Sequence, residues 1–242
     1  MEVHGHTHTE RKKWTHYFWE FLMLFLAVTL GFFVENQREH YVEHQRVKEY
    51  ARQMITDLKD DTAFLNQLLK DLNDHVTAFD TVNLLFDKTP PVSNKRLLQA
   101  VLKQRTTYPQ QLSATTFSQM KSSGTIRYFR NADLSRRVSN YYDKEQIFLN
   151  VAIAYANNFF TTDLQSFMLT HFDYSESDYF GDTLKVEKPV YLHRSSETDL
   201  LLRNKLILYT SQLRWNMNYP ASRVLNRAIQ LIELLKKEYH LK

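Results

Sequence analysis

Apolar residues follow two rhythms along this chain. Phe21 to Val34 is an unbroken run, FLMLFLAVTLGFFV, and beyond it apolar positions return only every third or fourth residue. The run alone is shorter than the roughly 20 residues needed to cross a bilayer core. Trp14, Tyr17, Phe18 and Trp19 extend it on the N-terminal side, and Trp and Tyr favour the headgroup level. Glu35-Asn36-Gln37-Arg38-Glu39 then returns abruptly to water. A helix apolar all round over four turns is a membrane span or a deeply buried core helix. The aromatic belt and the abrupt polar exit favour a span over residues 14–36, built from Trp14, Tyr17, Trp19, Glu20, Phe21, Leu24, Gly31 and Val34.

The second rhythm begins beyond the span. Val47, Ala51, Met54, Leu58, Leu65, Leu68, Leu72, Val76, Phe79, Val82 and Phe86 fall on alternating steps of four and three, with Asp61 the one polar intruder. This is a heptad-like seam. No Pro or Gly lies between Phe32 and Lys88, and Pro90-Pro91 is the first break. The pattern predicts one helix of about 70 residues. Leu69 and Leu85 widen the stripe toward that of a bundle helix.

Shorter helical patterns follow. One starts at Ser93 or Asn94 and carries Leu97, Leu98, Val101 and Leu102; Tyr108-Pro109 marks a loop. Ser113–Ser123 is next, with Gly124 where a left-handed helix cap sits. From Asn131 a long helix is predicted to about Phe172, its core face Leu134, Val138, Tyr141, Phe148, Ala152, Tyr155 and Phe159. Residues 173–195 are irregular, with room for a short hairpin. Ser196-Glu197-Thr198-Asp199 resembles a capping box opening a helix with Leu202, Leu206, Tyr209 and Leu213. Pro220 is placed to start the last helix, with Leu225, Ala228, Ile232, Leu235 and Tyr239 inward. The expected fold is all-α: a transmembrane helix continuing into a long helix, then an extracytoplasmic antiparallel bundle.

Composition sharpens this picture. Four Gly and five Pro among 242 residues suit helices joined by short turns. The absence of Cys removes disulfides, thiolate metal sites and cysteine nucleophiles. A net charge of +4, with both signs mixed, gives no nucleic-acid signature. Arg11-Lys12-Lys13 precede the span, whereas Glu35, Arg38, Glu39, Glu43 and Arg46 follow it. The positive-inside rule therefore predicts a cytoplasmic tail over 1–13 and an extracytoplasmic, periplasmic domain over 37–242. Leu30–Val34 is too bulky for a small-x-small cleavage site, which favours an uncleaved signal anchor.

Candidate chemistry is sparse. His4, His6 and His8 alternate in the polar tail, as a chelator of a divalent cation or as a solvated tail. Glu20, the one acid within the extended span, has His16 one turn away and Lys12, Lys13 and headgroups in reach; in an oligomer of anchors it is a candidate for ion movement. Lys121, Ser122, Ser123, Arg127 and Arg130, with Arg136 and Arg137 nearby, are candidate anion contacts, or a helix cap with solvated cations. There is no G-x-S-x-G, H-E-x-x-H or bundle-type Glu-x-x-His. No enzyme activity and no cofactor are expected.

Two segments carry a family resemblance. One is Glu20-Phe-Leu-Met-Leu-Phe-Leu-Ala-Val-Thr-Leu-Gly31 running into Asn36-Gln-Arg-Glu39. The other is Thr116-Phe-Ser-Gln-Met-Lys-Ser-Ser-Gly-Thr-Ile-Arg127, followed by Asn131, Leu134 and Tyr141-Tyr142. Together they resemble an uncharacterised family of single-pass membrane proteins from Bacteroidota, a domain of unknown function. The His-rich opening departs from that pattern. The resemblance implies the bacterial inner membrane and an envelope-facing helical domain, and no activity. The expected function is association: homo-oligomerisation along Val47, Met54, Leu58, Leu65, Leu68, Leu72 and Phe79, or service as an accessory subunit of a larger membrane complex. The alternatives are a ligand-sensing bundle that signals through a partner, and an ion-motive oligomer using Glu20.

Overall fold

The computed structural model describes residues 14–88, 90–102, 108, 112–129, 131–173 and 191–241. Among these the chain is all-α, with one isolated antiparallel bridge, Phe172 to Tyr191, and no strand. The first helix, α1, runs unbroken from Trp14–Leu85, 72 residues, through Gly31 and the stretch beyond Phe32 that lacks Pro and Gly. The chain divides into two compact units, Met1–Glu49 and Tyr50–Lys242.

In the first unit, an 18-residue window of α1 is long and apolar enough to cross a membrane, and none of it is buried. Trp14, Tyr17, Trp19, Phe21, Leu24 and Val34 all stand exposed. A core helix would hide such residues; among the described residues nothing covers this apolar surface of α1.

The second unit is built on three long helical runs. One is α1 from residue 50 onward. The next comprises α4 (Ala132–Asn140), α5 (Gln146–Phe159) and α6 (Ser166–His171), joined by π turns at Tyr141–Glu145 and Phe160–Gln165. The last comprises α7 (Ser196–Ser211) and α8 (Tyr219–Tyr239), joined by a π turn at Gln212–Asn218. Cross-contacts fix their directions. Asn73 meets Asn218 at 2.8 Å, Asp80 meets Arg214 at 2.9 Å and Asp87 meets Arg203 at 2.8 Å, so α1 and the last run are antiparallel. Asn131 reaches Glu238, Glu145 reaches Arg223 and Asp163 reaches Lys205, so the middle run also opposes the last. The middle run is therefore parallel to α1. Between these two runs the chain carries α2 (Asn94–Leu102) and α3 (Thr115–Ser122).

The π turns correct the predicted core face. Leu134, Val138 and Tyr141 are buried as expected, but Phe148 and Tyr155 are more than half exposed. The wider turn at Tyr141–Glu145 accommodates one extra residue, which advances the inward face by one position. Leu149, Ala156 and Phe160 take the places expected for Phe148, Tyr155 and Phe159, while Ile153 is buried beside Ala152, which stays inward as expected. Pro220 stands in the first turn of α8, as predicted, although the chain stays helical through the π turn just before it. Proline brings no N–H and its ring crowds the preceding turn, and the π turn just before it widens the backbone there. Val224 and Leu231 accordingly face the core in place of Leu225 and Ile232.

Local signals elsewhere hold to within a residue. Gly124 adopts φ +70° after α3, the left-handed cap position. The capping box on α7 is formed by Ser195 and Thr198, one residue earlier than predicted. The hairpin expected over 173–195 falls mostly in 174–190, outside the described residues.

Candidate functional site

The seam on α1 is the first feature to place. Val47, Met54, Leu58, Leu65, Leu68, Leu72 and Phe79 are each at most 3 % exposed. From Met54 onward, within the second unit, the chain's own helices cover this stripe; Phe79, for example, meets the Tyr209 ring edge-on at 5.4 Å. The seam is thus the bundle's interior and offers no surface to a second copy. Heptad spacing states that a stripe will be packed, and it is indifferent to whether the packing helix belongs to the same chain.

Asp61, the polar intruder, is the hub of that interior. Its carboxylate is 1 % exposed. It accepts from the Ser113 backbone N–H at 2.8 Å, the Tyr141 hydroxyl at 2.8 Å and Gln146 Nε2 at 2.9 Å. Gln146 also donates to the Ser113 carbonyl. Burial pushes the Asp61 carboxyl above its usual value; the three donors oppose that rise and the Asp57 charge adds to it. One turn earlier, Asp57 accepts from the Thr116 N–H at 3.2 Å, serving α3, whose own N-cap Ala114 has no side-chain acceptor. A second clamp lies further along. Asn157 both accepts from and donates to the Tyr108 backbone at 2.9 Å, and the Tyr108 hydroxyl meets His75 Nδ1 at 2.7 Å.

The Lys-Ser-Ser-Gly turn docks beside the Asp61 hub. Ser122 and Ser123 donate to the Gln119 carbonyl, so their hydroxyls serve the end of their own helix. Lys121 Nζ reaches Asp143 at 2.9 Å on the first π turn, and Phe117 stacks on Tyr142 at 4.6 Å. The Arg127 guanidinium lies 5.2 Å from the centre of the neighbouring Tyr128 ring. Arg130 lies outside the described residues. The candidate anion contacts are therefore a helix cap locked onto the Tyr141-Tyr142 turn, and the two parts of the sequence motif touch one another.

Cations gather elsewhere in the second unit. A groove of about 350 Å³ between the α4 end of the middle run and α8 is lined by Arg136, Arg137, Asn140, Lys144, Arg227 and Gln230. A second groove of about 350 Å³ is apolar, lined by Phe148, Val151, Tyr155, Trp215 and Tyr219, with Arg223 at its edge over the Phe148 ring. Of these two features, the charge pattern of 127–137 hinted at the first. The second was hidden by the one-residue advance at the π turn.

No family model, curated protein or solved structure matches this chain. Its function is therefore read from the geometry alone.

The remaining sequence candidates resolve simply. His16 Nε2 lies 2.9 Å from Glu20, pairing the acid of the extended span within its own helix. His4, His6 and His8 lie outside the described residues. His40-Tyr-Val-Glu43-His44 has the residue order of an inverted zinc-protease motif. His40 Nδ1 sits 3.5 Å from Glu43, and among the described residues no group of three or more His, Asp or Glu is arranged to hold a metal. Ser118 and Lys121 have the spacing of a Ser-x-x-Lys pair, but the Lys121 ammonium is engaged by Asp143.

Proposed function

We infer that this chain is a membrane-anchored envelope protein that acts by association. In this reading α1 spans the bacterial inner membrane through residues 14–36, with residues 1–13 cytoplasmic and the helical unit periplasmic. The fully exposed apolar surface of α1 supports the anchor, and Arg11-Lys12-Lys13 support the orientation.

The observation that carries association is the apolar groove, and its occupant is a second copy of the chain. Four aromatics, Phe148, Tyr155, Trp215 and Tyr219, are 53–70 % exposed around one concavity. At roughly 150–250 Å² per aromatic side chain, they present on the order of 500 Å² of exposed aromatic side-chain surface. That is at the upper end for a free monomer surface and below the roughly 800 Å² per partner of a stable soluble dimer. Anchors remove that shortfall, because confinement to one membrane raises the effective concentration of like chains without new contacts. A patch too small to dimerise a soluble domain suffices for copies held side by side.

Replacing Trp215 and Tyr219 with Ser tests this. In lipid nanodiscs the wild type is expected to run as a defined oligomer by native mass analysis, and W215S/Y219S as a monomer with unchanged helicity. An oligomer that survives both substitutions rejects the groove as the interface.

A further inference from the structure

A separate, basic groove lies between the α4 end of the middle run and α8. We propose that it is a binding site for a phosphate group, held by Arg136 and Arg137 from α4, Lys144 from the first π turn and Arg227 from α8.

Four cationic side chains line one concavity, and Glu145 is the one carboxylate among its lining residues. Glu145 is taken by Arg223, 2.8 Å away. Asp133, outside the groove, accepts one bond from Arg136 Nη2 and one from Arg137 Nε, both at 2.6 Å. Each guanidinium carries five N–H donors, so both keep donors to spare. Arg227 donates to the neutral Gln230 at 3.3 Å, and Lys144 makes no ion pair among the described residues. Like charges crowded in this way repel one another, and an entering anion relieves the repulsion while gaining forked hydrogen bonds.

The groove is also pre-shaped. Arg227, Gln230, Leu231 and Leu234 recur at helical spacing on one face of α8, with Leu231 buried as floor. Opposite them, Tyr141 is fixed by its bond to Asp61, which steadies the turn that carries Lys144. Asn140 and Gln230 add amide donors suited to ester or hydroxyl oxygens. Guanidinium pairs, an ammonium and amides around a rigid floor form a donor set for a multiply charged oxyanion.

The phosphate has two available sources, a soluble phosphorylated molecule or a lipid headgroup. The full chain in phosphatidylcholine nanodiscs is titrated with inorganic pyrophosphate by calorimetry. In parallel, amide hydrogen exchange over residues 136–144 and 227–234 is compared between phosphatidylcholine and phosphatidylglycerol nanodiscs. Saturable pyrophosphate binding, weakened at least tenfold in K144Q/R227Q and unchanged in K121Q, establishes a soluble-phosphate site. Protection that appears only with phosphatidylglycerol and vanishes in K144Q/R227Q establishes a headgroup site. Absence of both, or binding and protection indifferent to K144Q/R227Q, overturns the proposal. Lys144 and Arg227 are exposed, so the double variant keeps the fold, checked by its thermal midpoint. Oligomer mass in the same samples reads the association separately.

Discussion

At the scale of single residues, Asp61 does the most with the least. An acid in an otherwise apolar stripe interrupts a heptad reading, yet three donors from two other segments converge on it. Asp61→Ala leaves those donors buried and unpaired, and is expected to destabilise the helical unit by about 3 kcal/mol or more in denaturant unfolding. The pH dependence has a definite sign. Burial raises the folded-state pKa above the ordinary 3.8, so the folded protein binds the Asp61 proton more tightly than the unfolded chain does. Its contribution is fully present below that ordinary value and is lost as pH rises through the folded one. The stability difference between wild type and Asp61→Asn should therefore move in favour of the wild type as pH falls from 7 to 4, and a flat difference would exclude the assignment. Leu65 makes the companion case. As a buried seam residue, Leu65→Ala should cost about 2–5 kcal/mol of unfolding free energy and leave the assembly state in nanodiscs unchanged.

At the scale of elements, the chain shows which patterns a sequence carries openly. The length of α1 was legible because it holds no Pro and, beyond Phe32, no Gly, and the cap at Gly124 because only glycine adopts φ +70° at little cost. Gly124→Ala is expected to lower stability by about 1–2 kcal/mol from backbone strain alone, since no atom lies near enough to clash. A melting midpoint unaffected by that change would contradict the cap. The middle helix was legible only as far as Tyr141. Helical periodicity extrapolates at 3.6 residues per turn, and a π turn has no comparable residue signature. One residue of slip therefore exchanged Phe148 and Tyr155 for Leu149 and Ala156 at the core. The aromatics so displaced line the apolar groove, which is why that groove was not visible in the pattern. The anion candidates failed differently: Ser122 and Ser123 have the right chemistry, but their hydroxyls are spent on their own helix.

At the scale of the whole molecule, an exposed apolar helix and an exposed aromatic groove occur in one chain, in separate compact units. Each is unfavourable in water, and in the proposed function each takes a different partner: lipid for the helix, a second copy for the groove. The heptad seam, the natural first choice for assembly, is consumed by the bundle. Association through the groove is tested most directly by the mass of the intact assembly in native lipid nanodiscs, wild type beside W215S/Y219S. A defined homo-oligomer that becomes monomeric in the double variant is the predicted result. A monomeric wild type, or a fixed-ratio complex with other membrane proteins in place of a homo-oligomer, would contradict it.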